Sequence, residues 1–182
     1  MTARTTTAAA QSAPQTLSAL SAGSAPSAVT AIRDQTIGFL GGGHMGRALV
    51  AALRRHGHPA AQILVGEPAG DARSALERDF GVRTTADNLE VAAAADILVL
   101  AVKPQDMAAA LLPLQATLAH RRPLVVSIAA GLPVARLQEC CGVSLPIVRA
   151  MPNRPALLGL GASGLYAPAA VPAEARARAE AV

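Results

Sequence analysis

A chain of 182 residues, 52% hydrophobic and 15% charged, has room for one good-sized domain with a tail and the composition of a globular protein. With two Phe, one Tyr and no Trp, its core must be built from Ala, Leu, Val and Ile, and the composition argues against a base-stacking nucleic-acid surface. The net charge of +4 comes from scattered Arg in blocks no longer than Arg54-Arg55 or Arg121-Arg122, too short for a nucleic-acid stripe, and no apolar run approaches the roughly 18 residues that cross a bilayer.

Residues 1–35 are rich in Ala, Ser, Thr, Gln and Pro, with no acid before Asp34. So little large apolar surface cannot offset the entropy of ordering, and the stretch is expected to be a disordered extension outside the fold. It lacks the apolar central run of a secretory signal. Organellar transit peptides share its acid-free, Ser- and Ala-rich character, but a bland extension or a start codon set too far upstream explains it more simply.

From residue 36 strand and helix patterns alternate. Residues 36–40 form a short apolar run that feeds glycines, a strand entering a turn. Residues 44–56 have a helical pattern, with Met45, Leu49, Ala52 and Leu53 along one face and Gly57 as stop signal. A strand over 63–66 ends at Glu67-Pro68, a helix over 71–80 ends at Gly81, and 82–84 is a brief strand. Thr85 or Asp87 caps a helix running to Ala95. Residues 97–102 are the most apolar run, as a central parallel strand requires.

A helix over 106–119, a strand over 124–128, a helix over 133–140 with Pro133 in its first turn, and a strand over 145–149 follow. Residues 162–167 are a candidate last strand. From Pro172 an Ala/Glu/Arg segment begins a helix that stops at Val182 before burying an apolar face. The alternation predicts an α/β fold of Rossmann type, a doubly wound, mainly parallel sheet with helices on both faces, over 36–170. Residues 171–182 are the expected start of a truncated helical segment. Adjacent Cys140 and Cys141, with no second pair, indicate neither a disulfide framework nor a metal site and fit a reducing cytoplasm.

In Gly41-Gly42-Gly43-His44-Met45-Gly46 the first, third and sixth residues fill the three positions of a dinucleotide fingerprint. The first glycine permits the tight turn, the second lets backbone approach a pyrophosphate, and the third lets the helix sit close on the strand. The helix N-terminus then offers free N–H groups to the anion. A Gly-rich turn without a ligand is the competing reading; the strand before and the helix after favour the binding loop. Glu67 follows the loop by about twenty residues, where an acid accepts from the adenine-ribose 2′-OH and repels a 2′-phosphate. A solvent-facing Glu67 would decide nothing, and Arg73 is near enough in sequence to pair such a phosphate.

Three further segments follow the carboxyl ends of strands, where open α/β sheets bind ligands: residues 101–105, 127–131 and 149–153. Lys103, the only lysine, follows the most apolar strand, and Pro104 fixes its turn. Ala129, Ala130 and Gly131 are small enough for a flat ring to lie close to backbone.

At these segments the chain resembles the pyrroline-5-carboxylate reductase family: IGFLGGGHMGRAL (37–49), VLAVKPQ (99–105), VVSIAAGL (125–132), RAMPNRPAL (149–157) and GASGLYA (161–167). The resemblance implies that Leu40, Gly41, Gly42, Gly43, His44, Met45 and Gly46 hold the pyrophosphate of NADP or NAD, with Glu67 at the adenine ribose and Asn88 touching the cofactor. It puts Ala101, Val102, Lys103, Pro104, Ile128, Ala129 and Ala130 along the nicotinamide-ribose side, with Asn153 joining them. It also implies hydride transfer from NADPH or NADH to the C=N carbon of 1-pyrroline-5-carboxylate, giving L-proline, the final step of proline biosynthesis. The partner is then a small imine, not nucleic acid or membrane, and the location is cytoplasmic.

The family is homo-oligomeric through a C-terminal helical domain that also supplies substrate contacts; that domain is absent from this sequence. The isolated chain is therefore expected to bind NAD(P)H and to turn over imine weakly or not at all. His44 stands where Asn or Gln is usual, Arg154 where Thr is usual, and Glu67 where a small polar residue is common. His-Met-Gly is also familiar in hydroxyacid dehydrogenases. This leaves two alternatives: a hydroxyacid or deazaflavin-dependent NADP oxidoreductase on the same fold, and a non-catalytic dinucleotide-binding fragment. The sequence assigns no catalytic residue and no metal ligand; Tyr166, His44 and Lys103 are conceivable proton donors.

Overall fold

The computed structural model describes residues 32–152 and 163–182. The strands are β1 (Ile37–Leu40), β2 (Ile63–Gly66), β3 (Arg83–Thr85), β4 (Ile97–Leu100), β5 (Leu124–Ser127), β6 (Ile147–Pro152) and β7 (Ser163–Tyr166). The helices are α1 (His44–Arg55), α2 (Gly70–Phe80), α3 (Asn88–Ala94), α4 (Met107–Leu111), α5 (Gln115–Arg121), α6 (Val134–Cys141) and α7 (Ala173–Glu180). One sheet runs β3-β2-β1-β4-β5-β6-β7, parallel throughout except for the antiparallel β6–β7 edge. The first six strands have the Rossmann order, whose direction of winding reverses between β1 and β4.

Period-2 alternation sorts the strand side chains onto two cores. Ile37, Phe39, Ile63, Val65, Ile97, Val99, Leu124 and Val126 meet Val50 and Leu53 of α1, Leu76 of α2 and Ala175 and Ala179 of α7. Leu40, Leu64, Leu98, Leu100, Val125 and Ile147 meet Val91 and Ala92 of α3, Met107 and Leu111 of α4, Leu118 of α5 and Leu137, Cys140 and Cys141 of α6. All four β4 side chains are fully buried, each contributing about 1.5–3 kcal/mol of transfer free energy. A covered parallel sheet accounts for their unbroken apolar run.

Several expected details differ. Ile32, assigned by sequence to the extension, is fully buried in the first core, so the folded unit includes it; residues 1–31 lie outside the described residues. The buried face of α1 is Gly46, Ala48, Val50 and Leu53, while Met45, Leu49 and Ala52 are half-buried. The helix expected over 106–119 is three short pieces. Pro113 lacks an N–H and its ring crowds the preceding turn, so a 3-10 turn at Leu112–Leu114 separates α4 from α5. β4 stops at Leu100 rather than Val102, because the chain turns at Lys103-Pro104 into a 3-10 turn, Pro104–Asp106.

The strand expected from residue 145 begins at Ile147. The Gln138 side chain occupies the Leu145 backbone instead, accepting from its N–H at 3.0 Å and donating to its C=O at 2.7 Å. The helix from Pro172 does bury a face: Val171, Ala175, Ala179 and Ala181 are all buried and belong to the first core.

Candidate functional site

The strand register brings the ends of β1, β2, β4 and β5 level, with Arg149 inside β6 beside them. Leu40 pairs with Gly66 and Leu100, Leu100 with Ser127, and Ser127 with Arg149. Hydrogen bonds continue one residue past the strands: Gly41 N–H donates to Gly66 O (2.8 Å), Ala101 N–H to Leu40 O (2.9 Å), Ile128 N–H to Leu100 O (3.2 Å) and Glu67 N–H to Thr85 O (2.9 Å). Gly41, Glu67, Ala101 and Ile128 therefore stand in one row along the carboxyl edge of the sheet. Residues expected from four separate sequence segments are brought together there, on both sides of the β1/β4 reversal.

Gly41 turns the chain out of β1 at φ +100°, and a Cβ there would meet the Ala101 carbonyl oxygen at 2.9 Å. Both the conformation and the space demand glycine. Gly42 lies over Leu76 and beside the Glu67 Cβ, whereas Gly43 faces open space, leaving room for a ligand to approach backbone. The first bond of the α1 ladder runs from Arg47 N–H to Gly43 O at 2.8 Å, so the amides of His44, Met45 and Gly46 have no intrahelical acceptor. No acidic residue lies in the first turn to neutralise them. These amides and the helix dipole suit an anion.

Glu67 is half-buried at the end of β2, and both its carboxylate oxygens are engaged. Oε2 accepts from Gly42 N–H at 3.0 Å and Oε1 from Ala69 N–H at 3.1 Å. Sequence reasoning placed this acid but not its bond to the glycine loop, which depends on parallel pairing across 25 residues. Arg73 is turned onto the same corner, its Nη1 donating to the carbonyls of Glu67 and Pro68, both at 2.8 Å. Asn88 opens α3 with its side-chain oxygen against Gly66, one residue before Glu67. Asp87, not Thr85, caps that helix, accepting from Leu89 N–H at 2.8 Å.

On the other side of the reversal, Ala101 and Val102 are half-buried and Lys103 and Pro104 exposed. Lys103 is the residue entering the 3-10 turn, its carbonyl accepting from Asp106 N–H at 3.0 Å. Ile128 is half-buried, Ala129 buried and Ala130 exposed. The buried Ser127 hydroxyl, unused by the sequence reading, accepts from Ala129 N–H at 3.4 Å and steadies this small-residue turn. Next to Ile128, a recess of about 120 Å³ is lined by Leu49, Ala150, Pro152 and Leu165. Asn153 and Arg154 lie outside the described residues.

Of the conceivable proton donors, Tyr166 stands apart from the other two. Tyr166, half exposed, pairs with Arg149 on the edge strand, four strands from β1, which is roughly 19 Å at the usual strand spacing. His44 is exposed after β1 and Lys103 exposed after β4. Among the described residues no helix is long and apolar enough to cross a membrane, and no group of three His, Cys, Asp or Glu could hold a metal ion.

Comparison with known proteins agrees with this geometry. The chain is 48% identical over 137 residues to the pyrroline-5-carboxylate reductase of Vibrio alginolyticus, which covers 75% of this chain and 50% of that protein. It spans about half the length of the curated relatives it matches. Among solved structures, a pyrroline-5-carboxylate reductase from Coxiella burnetii superposes with a TM-score of 0.75 at 34% identity, over 80% of this chain and 56% of that one. Plasmodium falciparum pyrroline carboxylate reductase, crystallised with NADP bound, superposes with a TM-score of 0.68 at 26% identity, over 82% of this chain and 56% of that one. The family described as NADP oxidoreductase, coenzyme F420-dependent, matches residues 36–131, more than half of the sequence, and the chain belongs to that family.

Proposed function

We propose that this chain is the cofactor-binding part of an NAD(P)H-dependent pyrroline-5-carboxylate reductase, which reduces the cyclic imine to L-proline. The observation that carries the reading is the glycine loop at the β1/β4 reversal, its unbonded amides facing the carboxyl edge where the 101–104 and 128–130 segments also stand. Similarity to pyrroline-5-carboxylate reductases at up to 48% identity supports the imine as substrate, and the NADP in the Plasmodium structure supports the dinucleotide.

In this reading the amides of His44, Met45 and Gly46 hold the pyrophosphate, and Glu67 and Asn88 flank the adenine ribose. The backbone of 101–104 and 128–130 supports the nicotinamide side, Lys103 facing the solvent edge. When bound, the reduced nicotinamide supplies the hydride; the protein's contribution is to place ring and imine together and to exclude water. No described side chain is assigned the proton for the imine nitrogen. Cys140 and Cys141 are free thiols, as suits a cytoplasmic enzyme.

The test is steady-state oxidation of NADH or NADPH by 1-pyrroline-5-carboxylate in the protein extended to its relatives' full length, with proline measured as product. The 182-residue chain alone should bind the dinucleotide and form little or no proline. Absence of proline formation by the extended protein sinks the substrate assignment. The family description favours a second reading, a deazaflavin-dependent NADP oxidoreductase. Hydride exchange between NADP and a reduced deazaflavin, with none to the imine, would establish it.

A further inference from the structure

We propose that Glu67 makes this protein select NADH over NADPH, an inference that rests on the dinucleotide-binding reading above and adds to it the identity of the cofactor. Glu67 stands at the end of β2 in the row of carboxyl-edge residues, and its carboxylate bridges two amides, Gly42 in the glycine loop and Ala69 at the entry to α2. The bridge fixes the carboxylate beside the loop and prevents it from swinging into solvent. Each carboxylate oxygen accepts one of these bonds and keeps a second lone pair. Those remaining lone pairs are acceptors for the two hydroxyls of an unmodified adenine ribose. A 2′-phosphate placed there would bring a dianion against a carboxylate that cannot retreat without releasing the Gly42 amide.

Arg73 is the nearest candidate for offsetting that repulsion, and one of its guanidinium nitrogens is tied to the turn, while Nη2 and Nε keep their N–H groups. Nη1 is shared between the Glu67 and Pro68 carbonyls at 2.8 Å each, which holds the group against the β2–α2 corner as a support for the turn. The corner thus fixes the carboxylate beside the glycine loop by two amides and holds the guanidinium on the backbone side of the turn by one nitrogen, so the anion is the better placed of the two.

Equilibrium titration of the chain with NADH and with NADPH, read by calorimetry, tests this, alongside Glu67→Gln and Arg73→Ala. The wild type is expected to bind NADH at least about tenfold more tightly than NADPH, a difference one uncompensated charge contact readily supplies. Glu67→Gln, which keeps the side-chain length and removes the charge, should close most of that gap by strengthening NADPH. Arg73→Ala should leave the ratio unchanged. Glu67→Ser serves the same purpose should the Gln variant fail to fold by circular dichroism. Equal or tighter NADPH binding by the wild type, an unchanged ratio in both Glu67 variants, or selective loss of NADPH in Arg73→Ala each overturns the proposal. A folded chain that binds neither dinucleotide overturns the binding reading itself, a result distinct from binding with the wrong preference.

Discussion

A Cβ on Gly46 would stand 2.5 Å from the Gly41 carbonyl oxygen, the tightest approach within the glycine loop. The contact is backbone, so it cannot yield by a rotamer change. Gly46→Ala must lift α1 from the end of β1 and move the amides of His44 and Met45. The expected loss is about 1–3 kcal/mol of stability, as for other overpacked sites, and at least about tenfold in dinucleotide affinity. Urea unfolding and dinucleotide titration check the two effects; unchanged affinity would mean that the loop is not the anion site.

His58 is fully buried, and neither ring nitrogen finds a partner among the described residues. Burial holds its pKa below the ordinary 6.5, outweighing the pull of the nearby Gln62 and Gln35 backbone in the other direction, while the Arg54 and Arg33 charges add to the lowering. Well above 6.5 the ring is neutral in both states and contributes no pH dependence. Below 6.5 the unfolded chain takes up a proton that the folded chain refuses, so stability falls until the folded-state pKa is passed. Urea midpoints should therefore drop between about pH 7 and pH 5, and His58→Leu should flatten that part of the profile. A profile identical in wild type and variant would show that His58 is not the group responsible.

Asp87 caps α3 through the Leu89 amide, next to Asn88 at the candidate site. Asp87→Ala should cost about 1 kcal/mol in urea unfolding, whereas Asp87→Asn, which keeps an acceptor, should cost much less.

Ala179 is 4% exposed on the inner face of α7, and Glu180 beside it is exposed. Ala179→Asp buries an unpaired charge against the sheet and should destabilise by several kcal/mol, about 3 or more, or prevent folding. Glu180→Ala should stay within about 0.5 kcal/mol. Equal tolerance of both changes in thermal unfolding would show that α7 does not pack as described.

Cys141 is fully buried, and burial, helped by the adjacent Cys140, pushes its thiol up to about 11. At neutral pH it is almost wholly protonated and shielded, so a thiolate-seeking reagent should modify it only after denaturation. Fast native-state labelling of Cys141, located by peptide mass spectrometry, would contradict this packing.

What the sequence revealed was whatever a short stretch of chain decides for itself. The glycine loop needs only a strand before it and a helix after it, so its residues were legible together with Glu67, Ala101 and Ile128 at the following strand ends. The break at Pro113 was also written in the sequence; the helical pattern around it masked a residue that cannot donate to the ladder. Contacts between distant segments were not legible. The buried face of α1 is set by the sheet beneath it, the Glu67–Gly42 bond by parallel pairing, and the burial of α7 by partners such as Val126 and Val148 that its own Ala/Arg pattern does not announce. Ile32 was missed for the same reason, a single apolar residue following a polar stretch.

The two middle strands are far apart in the chain. β1 and β4 pair from Ile37 and Ile97 onward, and just before them the Thr36 N–H donates to the Asp96 carboxylate at 2.9 Å across a separation of 60 residues. During synthesis β1 can find β2 early, but its other edge, with Phe39 and Leu40, has no mate until β4 has left the ribosome. For that interval the nascent protein carries an unpaired, strongly apolar strand edge, the kind of surface that draws in other chains or a chaperone. The arrangement that opens a binding crevice at the centre of the finished sheet therefore also leaves the inner edge of β1 unprotected until the chain has grown by a further 60 residues.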